Sequence, residues 1–274
     1  MNGIIIVDKE KNMTSFDVCH KLMRIFNTKR IGHTGTLDPI ATGVLVCTVG
    51  KYTKLNEVLT STYKEYVATM KLGVTTDTLD SEGVILKENN VNLTNEEITN
   101  AINSFIGTYN QEVPKYSSVK INGKKLYEYA RNNIDIDLPK REVDIRYIKD
   151  IIFNEDNTIT FTCLVSKGTY IRSLIRDIGE YLSVGAIMTD LRRTKQGIFD
   201  IKDAYKLSDI ENNNYKFLSL KDILDVNIID VDEYEYKKIK NGVKNDTNGY
   251  ILYRFNNKDV SLYKDGKMFI YLED

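Results

Sequence analysis

The sequence predicts an α+β fold: a mixed, largely antiparallel sheet flanked by helices, followed by a small β-rich C-terminal domain. Three observations carry this expectation. Apolar residues recur at period two in some segments and at helical spacing in others, without the regular alternation of a βαβ protein. Strand patterns run directly into helix starts. Beyond about Tyr205 the texture changes to short strand patterns separated by turn signals. The 274 residues suffice for a full core, which we divide as 1–215 and 216–274.

The elements follow in order. "GIIIVDK" from Gly3 reads as a buried strand, its run of β-branched residues lacking the alternation of a half-exposed one. "TSFDVCHKLMRIF" places Val18, Cys19, Leu22, Ile25 and Phe26 on one helical face, with Thr14 and Asp17 at capping-box spacing. "YVATMKLG" alternates, Tyr66, Ala68, Met70 and Leu72 sharing a face, and "TDTLDSEG" follows as a polar turn. "TNEEITNAINSFIG" is predicted as a helix with a Thr94/Glu97 capping box, a stripe from Ile98 to Ile106, and Gly107 as its stop. "ITFTCLV" alternates again and feeds "SKGTYIRSLIRDIGEYL", whose Ile171, Leu174, Ile175, Ile178 and Leu182 have helical spacing. At the C-terminus "VDEYEYKKIKNG" reads as a short helix, and "GYILYRF", "DVSLY" and "KMFIYLE" as strands, the last two joined across "KDG".

Composition narrows the function. There is no basic leader and no run of some 18 apolar residues, so the expected location is the cytoplasm, without a membrane anchor. Cys19, Cys47 and Cys163 are odd in number, far apart and free of CxxC spacing; we read them as core residues. His20 and His33 have no matching carboxylate spacing, so no metal site is expected. The net charge of −1 conceals asymmetry. Cationic residues outnumber acidic ones nine to five over residues 1–64, eight to five over 115–146, and six to three over 164–197. A phosphate-binding face can be assembled from those stretches, though an unevenly charged solvated surface has the same composition.

One loop invites a chemical reading. "RIGHTGTLDPIATG", Arg30 to Gly43, combines glycines that permit close backbone approach with a lone acid, Asp38, set against Pro39. Alone, such an acid is as readily a turn former.

With "GHTGTLDPIATGVL", "YKEYVATMKLGVTTDTLDSEG", "VPKYSSVKINGKKLYEYAR", "SKGTYIRSLIRDIGEYL" and "TDLRRTKQGIFD" in this order and spacing, the chain resembles the bacterial tRNA pseudouridine-55 synthases, the TruB family of pseudouridine synthases. The resemblance spans roughly residues 3–205, and the C-terminal part is similar to that family's PUA-like domain. Two departures stand out: Glu10 replaces a proline, which predicts a less rigid loop, and Ser118 stands where alanine is common.

The resemblance implies the pseudouridine synthase fold and isomerisation of uridine 55 in the T loop of tRNA, by a cytoplasmic monomer with tRNA as partner and no cofactor. It makes Asp38 the catalytic carboxylate, attacking C1′ to give an ester or removing the C2′ proton to give a glycal. It makes Arg172 the positive group that lowers the Asp38 pKa and fixes its aim. Tyr66 would stack on the flipped base, His33 would help displace it, and Tyr170 and Leu191 would border it. Read alone, Tyr66 and Leu191 are core residues, His33 a turn residue and Tyr170 a helix-start aromatic. Lys9, Arg30, Arg192 and Arg193 are candidate phosphate contacts, and residues 115–146 a basic RNA-gripping insert. Two rivals belong to other classes. "GHTG" matches the backbone clamp of KH domains, which would make a non-catalytic tRNA-binding module. A nucleosidase needs a second carboxylate, for which Asp77 and Asp80 are available, both within the turn.

Overall fold

The computed structural model describes residues 1–60, 63–132 and 134–273. The chain opens with β1 (Gly3–Lys9), α1 (Ser15–Ile25), β2 (Ile31–His33), β3 (Thr42–Val49) and α2 (Asn56–Thr60). Next come β4 (Lys64–Leu72), β5 (Val74–Thr76), β6 (Ile85–Glu88), α3 (Asn95–Asn103) and β7 (Gly107–Glu112). The basic segment holds β8 (Lys120–Ile121), β9 (Lys124–Lys125) and α4 (Leu126–Arg131). It leads to β10 (Lys140–Phe153), β11 (Thr158–Val165), α5 (Ile171–Tyr181) and β12 (Ala186–Gln196). The last third comprises β13 (Phe199–Asp200), α6 (Leu207–Glu211), α7 (Leu220–Ile223), β14 (Val226–Asp230), α8 (Glu233–Lys240), β15 (Tyr250–Phe255), β16 (Lys258–Lys264) and β17 (Lys267–Tyr271).

Two compact units result. The first comprises Met1–Pro39, Gly43–Ser61 and Ile198–Asp274. In it β1 and β3 pair antiparallel from Gly3 opposite Val49 to Lys9 opposite Gly43. Both faces of this pair are covered, which is why "IIIV" shows no alternation. Ile5, Val7, Leu45 and Cys47 pack with Val18, Leu22 and Phe26 of the capped helix α1. Ile4, Ile6, Val44 and Val46 pack instead with Leu252, Leu262, Ile270 and Leu272. The first three belong to a four-stranded C-terminal sheet ordered β14, β15, β16, β17, and Leu272 directly follows its last strand. Its other face packs Ile251, Tyr253, Val260 and Tyr263 with Ile239 of α8. The predicted C-terminal strands and helix are present; sequence reading missed β14, which pairs parallel with β15, as it missed β2, β3 and β13 earlier in this unit.

The second unit comprises Ile40–Thr42 and Thr62–Gly197. Its strands run β12, β4, β11, β10, β7, every pairing antiparallel, as the mixed patterning predicts. Tyr66, Ala68 and Met70 are buried on one side of β4, and α5 lies against β12, β4 and β7. The Thr94/Glu97 capping box forms. Helix α3 stops at Asn103 rather than reaching Ile106, because Phe105 turns to meet Tyr109 and Tyr181 edge-on and Ile106 points to solvent. The 14-residue β10 escaped prediction because two register shifts against β11 break its alternation.

Cys19, Cys47 and Cys163 are buried, as expected of core residues; burial pushes the Cys163 thiol up to about 12. Among the described residues no helix is long and apolar enough to cross a membrane.

Gly179 marks the tightest packing of α5. A methyl group there would lie 2.3 Å from the Ala186 nitrogen and 2.5 Å from the Gly185 carbonyl carbon. Gly179→Ala is expected to lower stability by about 1–3 kcal/mol, read as a shift in the urea midpoint; an unshifted midpoint would contradict this packing.

Candidate active site

In the first unit, the Asp38 loop is fixed from both sides. On its N-terminal side the Leu37 amide donates to Ser15 Oγ at 2.8 Å, and Ser15 Oγ donates to the Leu37 carbonyl at 3.2 Å. On its C-terminal side the Pro39 carbonyl accepts from the Asn12 amide at 2.8 Å and from Lys9 Nζ at 3.3 Å. Leu37 is buried while Asp38 itself is half-buried. The first turn of α1 and the end of β1 thus hold the peptides flanking one partly accessible carboxylate. His33 ends β2, opposite Cys47.

Lys9 differs from expectation. It is fully buried, and its ammonium also donates to the carbonyls of Glu10 at 2.9 Å and Met13 at 2.6 Å. A buried cation demands such acceptors, so Lys9 shapes the loop instead of meeting a phosphate. The same three bonds restrain the segment that Glu10, in place of proline, is expected to loosen. Arg30 is exposed, as a phosphate contact requires, whereas Arg193 is fully buried and cannot serve as a surface contact.

In the second unit, register gathers several of the candidate residues. Tyr66 lies opposite Arg193 of β12 and Cys163 of β11, and Ala68 opposite Leu191; residues opposed in this way project to the same face. Tyr66 and Leu191 are both buried, so the core reading describes their packing in this state. Two residues before Tyr66, burial together with the charges of Arg193 and Lys167 lowers the Lys64 amine to about 8. Arg192 is half-buried, its Nη1 donating to Thr42 Oγ1 at 3.4 Å.

Tyr170 caps α5. Its N–H donates to Gln111 Oε1 at 2.8 Å and its carbonyl accepts from Gln111 Nε2 at 3.1 Å. Gln111 gave no signal in the sequence, since an isolated amide in a strand has no motif.

Arg172, in the first turn of α5, is buried. Its Nη1 donates to the Thr78 carbonyl at 2.9 Å and lies 3.5 Å from Asp80 Oδ2, while Nη2 donates to the Tyr116 carbonyl at 3.1 Å. Asp80, also buried, accepts on its other oxygen from Thr78 Oγ1 at 2.6 Å and the Glu82 amide at 3.1 Å. "TDTLDSEG" is therefore a turn, as predicted, but one whose second acid serves the arginine. The turn is strapped to β12 through Met188, which donates to the Leu79 carbonyl and accepts from the Ser81 amide. Leu79 pays with φ +66°, a left-handed conformation that costs a bulky residue of order 1–3 kcal/mol. Among the described residues no group of three or more His, Cys, Asp or Glu side chains could hold a metal ion.

Comparison with known proteins gives the family and the fold. Residues 23–171 match the N-terminal domain of the TruB family pseudouridylate synthases, and residues 172–234 the C-terminal domain of tRNA pseudouridylate synthase B. The chain is 42% identical to tRNA pseudouridine synthase B of Lactobacillus acidophilus, over 98% of this chain and 96% of that one. It is 44% identical to the protein of that name from Clostridium tetani, over 89% and 86%. The fold is similar to a chain in the crystal structure of a Cbf5–Nop10–Gar1 complex, with a TM-score of 0.67 at 23% identity, covering 99% of this chain and 84% of that one.

Asp80→Asn keeps an acceptor oxygen for Thr78 and Glu82 and puts an uncharged amide NH2 donor in place of the carboxylate oxygen that faces Arg172. It is expected to cost about 3 kcal/mol, the lower end for breaking a buried pair, measured by chemical denaturation. A loss below about 0.5 kcal/mol would show that the carbonyls alone satisfy Arg172.

Proposed function

The chain belongs to the TruB family of pseudouridylate synthases, and on that premise we propose that it isomerises a uridine of tRNA, position 55 in the T arm, to pseudouridine, with Asp38 acting at the ribose. The observation that carries the assignment is the pinning of the peptides on both sides of a half-accessible carboxylate. A reactive group held in this way loses little freedom when substrate arrives.

The reaction breaks the C1′–N1 bond, turns the base and joins C1′ to C5, while the C5 hydrogen leaves as a proton and N1 gains one. No group is lost and no net oxidation occurs. The carboxylate works as nucleophile at C1′ or as base at C2′; either way an anionic oxygen acts on the sugar. Turning the uridine out of its RNA loop costs a few kcal/mol, which stacking on Tyr66 offsets by about 1–3 kcal/mol. Such stacking requires the buried ring to become accessible as the nucleotide enters. Tyr170 and Leu191 border the base, His33 helps displace it, and Arg172 contributes fixed positive charge.

The basic insert supplies grip. Lys120 and Lys124 are exposed on either side of a two-residue turn in which Asn122 and Gly123 both have positive φ, the geometry of a tight hairpin. The Tyr127 ring lies 5.3 Å from both Lys125 Nζ and the Arg131 guanidinium carbon. Cations interleaved with an aromatic ring suit a nucleic-acid backbone. The protein acts as a monomer in the cytoplasm, where tRNA is met.

Asp38→Asn is expected to bind tRNA with unchanged affinity and to release no tritium above background from C5-labelled uridine. Full release would reject the assignment, and release of free uracil by the wild type would indicate a nucleosidase. Replacing Lys124 and Lys125 by Ala is expected to weaken tRNA binding and to reduce the slope of log affinity against log salt by about one for each phosphate left unneutralised. Unchanged affinity and slope would remove the insert from the RNA interface.

A further inference from the structure

The basic insert is nearly self-contained. It is closed at its base by the Val113 amide donating to the Pro139 carbonyl at 3.0 Å. Within it, the Leu126 amide donates to the Val119 carbonyl, Tyr127 to Ser117, and the Tyr129 hydroxyl to Ile121. Lys115 pairs with Asp135 at 3.6 Å. Tyr116, at the start of the insert, is tied outward at both ends. Its carbonyl accepts from Arg172 Nη2 at 3.1 Å, and its hydroxyl donates to Asp77 Oδ2 at 3.2 Å. Asp77 in turn accepts the Val84 amide at 2.8 Å, closing the turn that carries Thr78 and Asp80.

We propose that Tyr116 is a positioning residue that couples the seating of the basic insert to the aim of Arg172. The inference rests on the functional reading above and deepens it. A guanidinium is planar and rigid, so its donors cannot be re-aimed one at a time. If the insert shifts, the acceptor at Nη2 shifts with it, and the whole group turns against the Thr78 carbonyl and the Asp80 carboxylate. The tyrosine–aspartate bond opposes that shift, because it fastens the same residue to the same turn that holds Nη1. RNA drawn against Lys120, Lys124 and Lys125 therefore presses on a lever whose short arm is Tyr116. Burial and the Asp77 carboxylate push the Tyr116 hydroxyl above its ordinary range, so it remains a donor at neutral pH. Gly83 keeps the turn in this shape: a Cβ there would lie 2.3 Å from Thr78 Oγ1 and 2.6 Å from Asp77 Oδ1.

The test uses the full chain and an unmodified tRNA transcript, with single-turnover tritium release at saturating enzyme and Kd measured separately. Tyr116→Phe keeps the ring and the carbonyl bond and deletes only the bond to Asp77. The saturating rate is expected to fall about three- to tenfold, the range one hydrogen bond supports, with Kd within about twofold. An unchanged rate overturns the proposal, as does weaker binding at an unchanged saturating rate, which would assign Tyr116 to grip alone. A double-mutant cycle guards against a merely structural effect. In the wild-type background, Lys124→Ala with Lys125→Ala should lower the saturating rate as well as affinity; in the Tyr116→Phe background it should lower affinity only. Additive effects on rate overturn the coupling. A wild-type protein that releases no tritium overturns the functional reading and the coupling together, whereas an active wild type with an unaltered Tyr116→Phe variant overturns the coupling alone.

Discussion

A cation removed from water must have its N–H donors met by oxygen, and each unit of this protein is organised around one such group. In the first, the Lys9 ammonium gathers the carbonyls of Glu10, Met13 and Pro39. In the second, the Arg172 guanidinium gathers the carbonyls of Thr78 and Tyr116 and the carboxylate of Asp80. Leaving such donors unmet costs more than the bonds return. The surrounding loops therefore have little choice of conformation. That is how segments rich in Gly, Thr and Asp, which have little packing of their own, come to hold defined positions.

The consequence is rigidity in the loops that carry the candidate site residues. Ser15 opens α1 and binds both the amide and the carbonyl of Leu37, so the helix start and the loop form one structure. Gln111 does the same for Tyr170. In both cases a polar side chain from a neighbouring element brackets the backbone of one loop residue and leaves its neighbour or its own side chain outside that bracket. Strain is accepted at Leu79 in exchange for placing Asp80 beside Arg172.

Local patterns were legible. The capping boxes at Thr14 and Thr94, the doubly buried β1 and the alternation of β4 follow from residue spacing, and the loop around Asp38 is conspicuous because its glycines surround one acid. What escaped was whatever depends on a partner far along the chain. Asp80 looks like a turn residue because it is one; that its other oxygen faces a guanidinium 92 positions later has no local trace. Lys9 and Arg193 raise the basic count of their segments as though solvated, but both are buried. Strand β10 is hidden by its own bulges. Five collinear motif blocks supplied the family, because such an arrangement summarises long-range pairings that periodicity cannot express.

The division of the β1–β3 pair between two cores has a temporal side. Ile4 and Ile6 leave the ribosome well before four of the side chains packed with them, Leu252, Leu262, Ile270 and Leu272. At ordinary elongation rates that interval is on the order of 10 to 50 s. Until then that face has only the earlier members of the same core, Tyr52, Leu55 and Leu59 and later Phe199 and Leu220, to pack with. This core is therefore half-built by nearby residues and completed by strands β15 to β17, so its two halves gain their packing at different times.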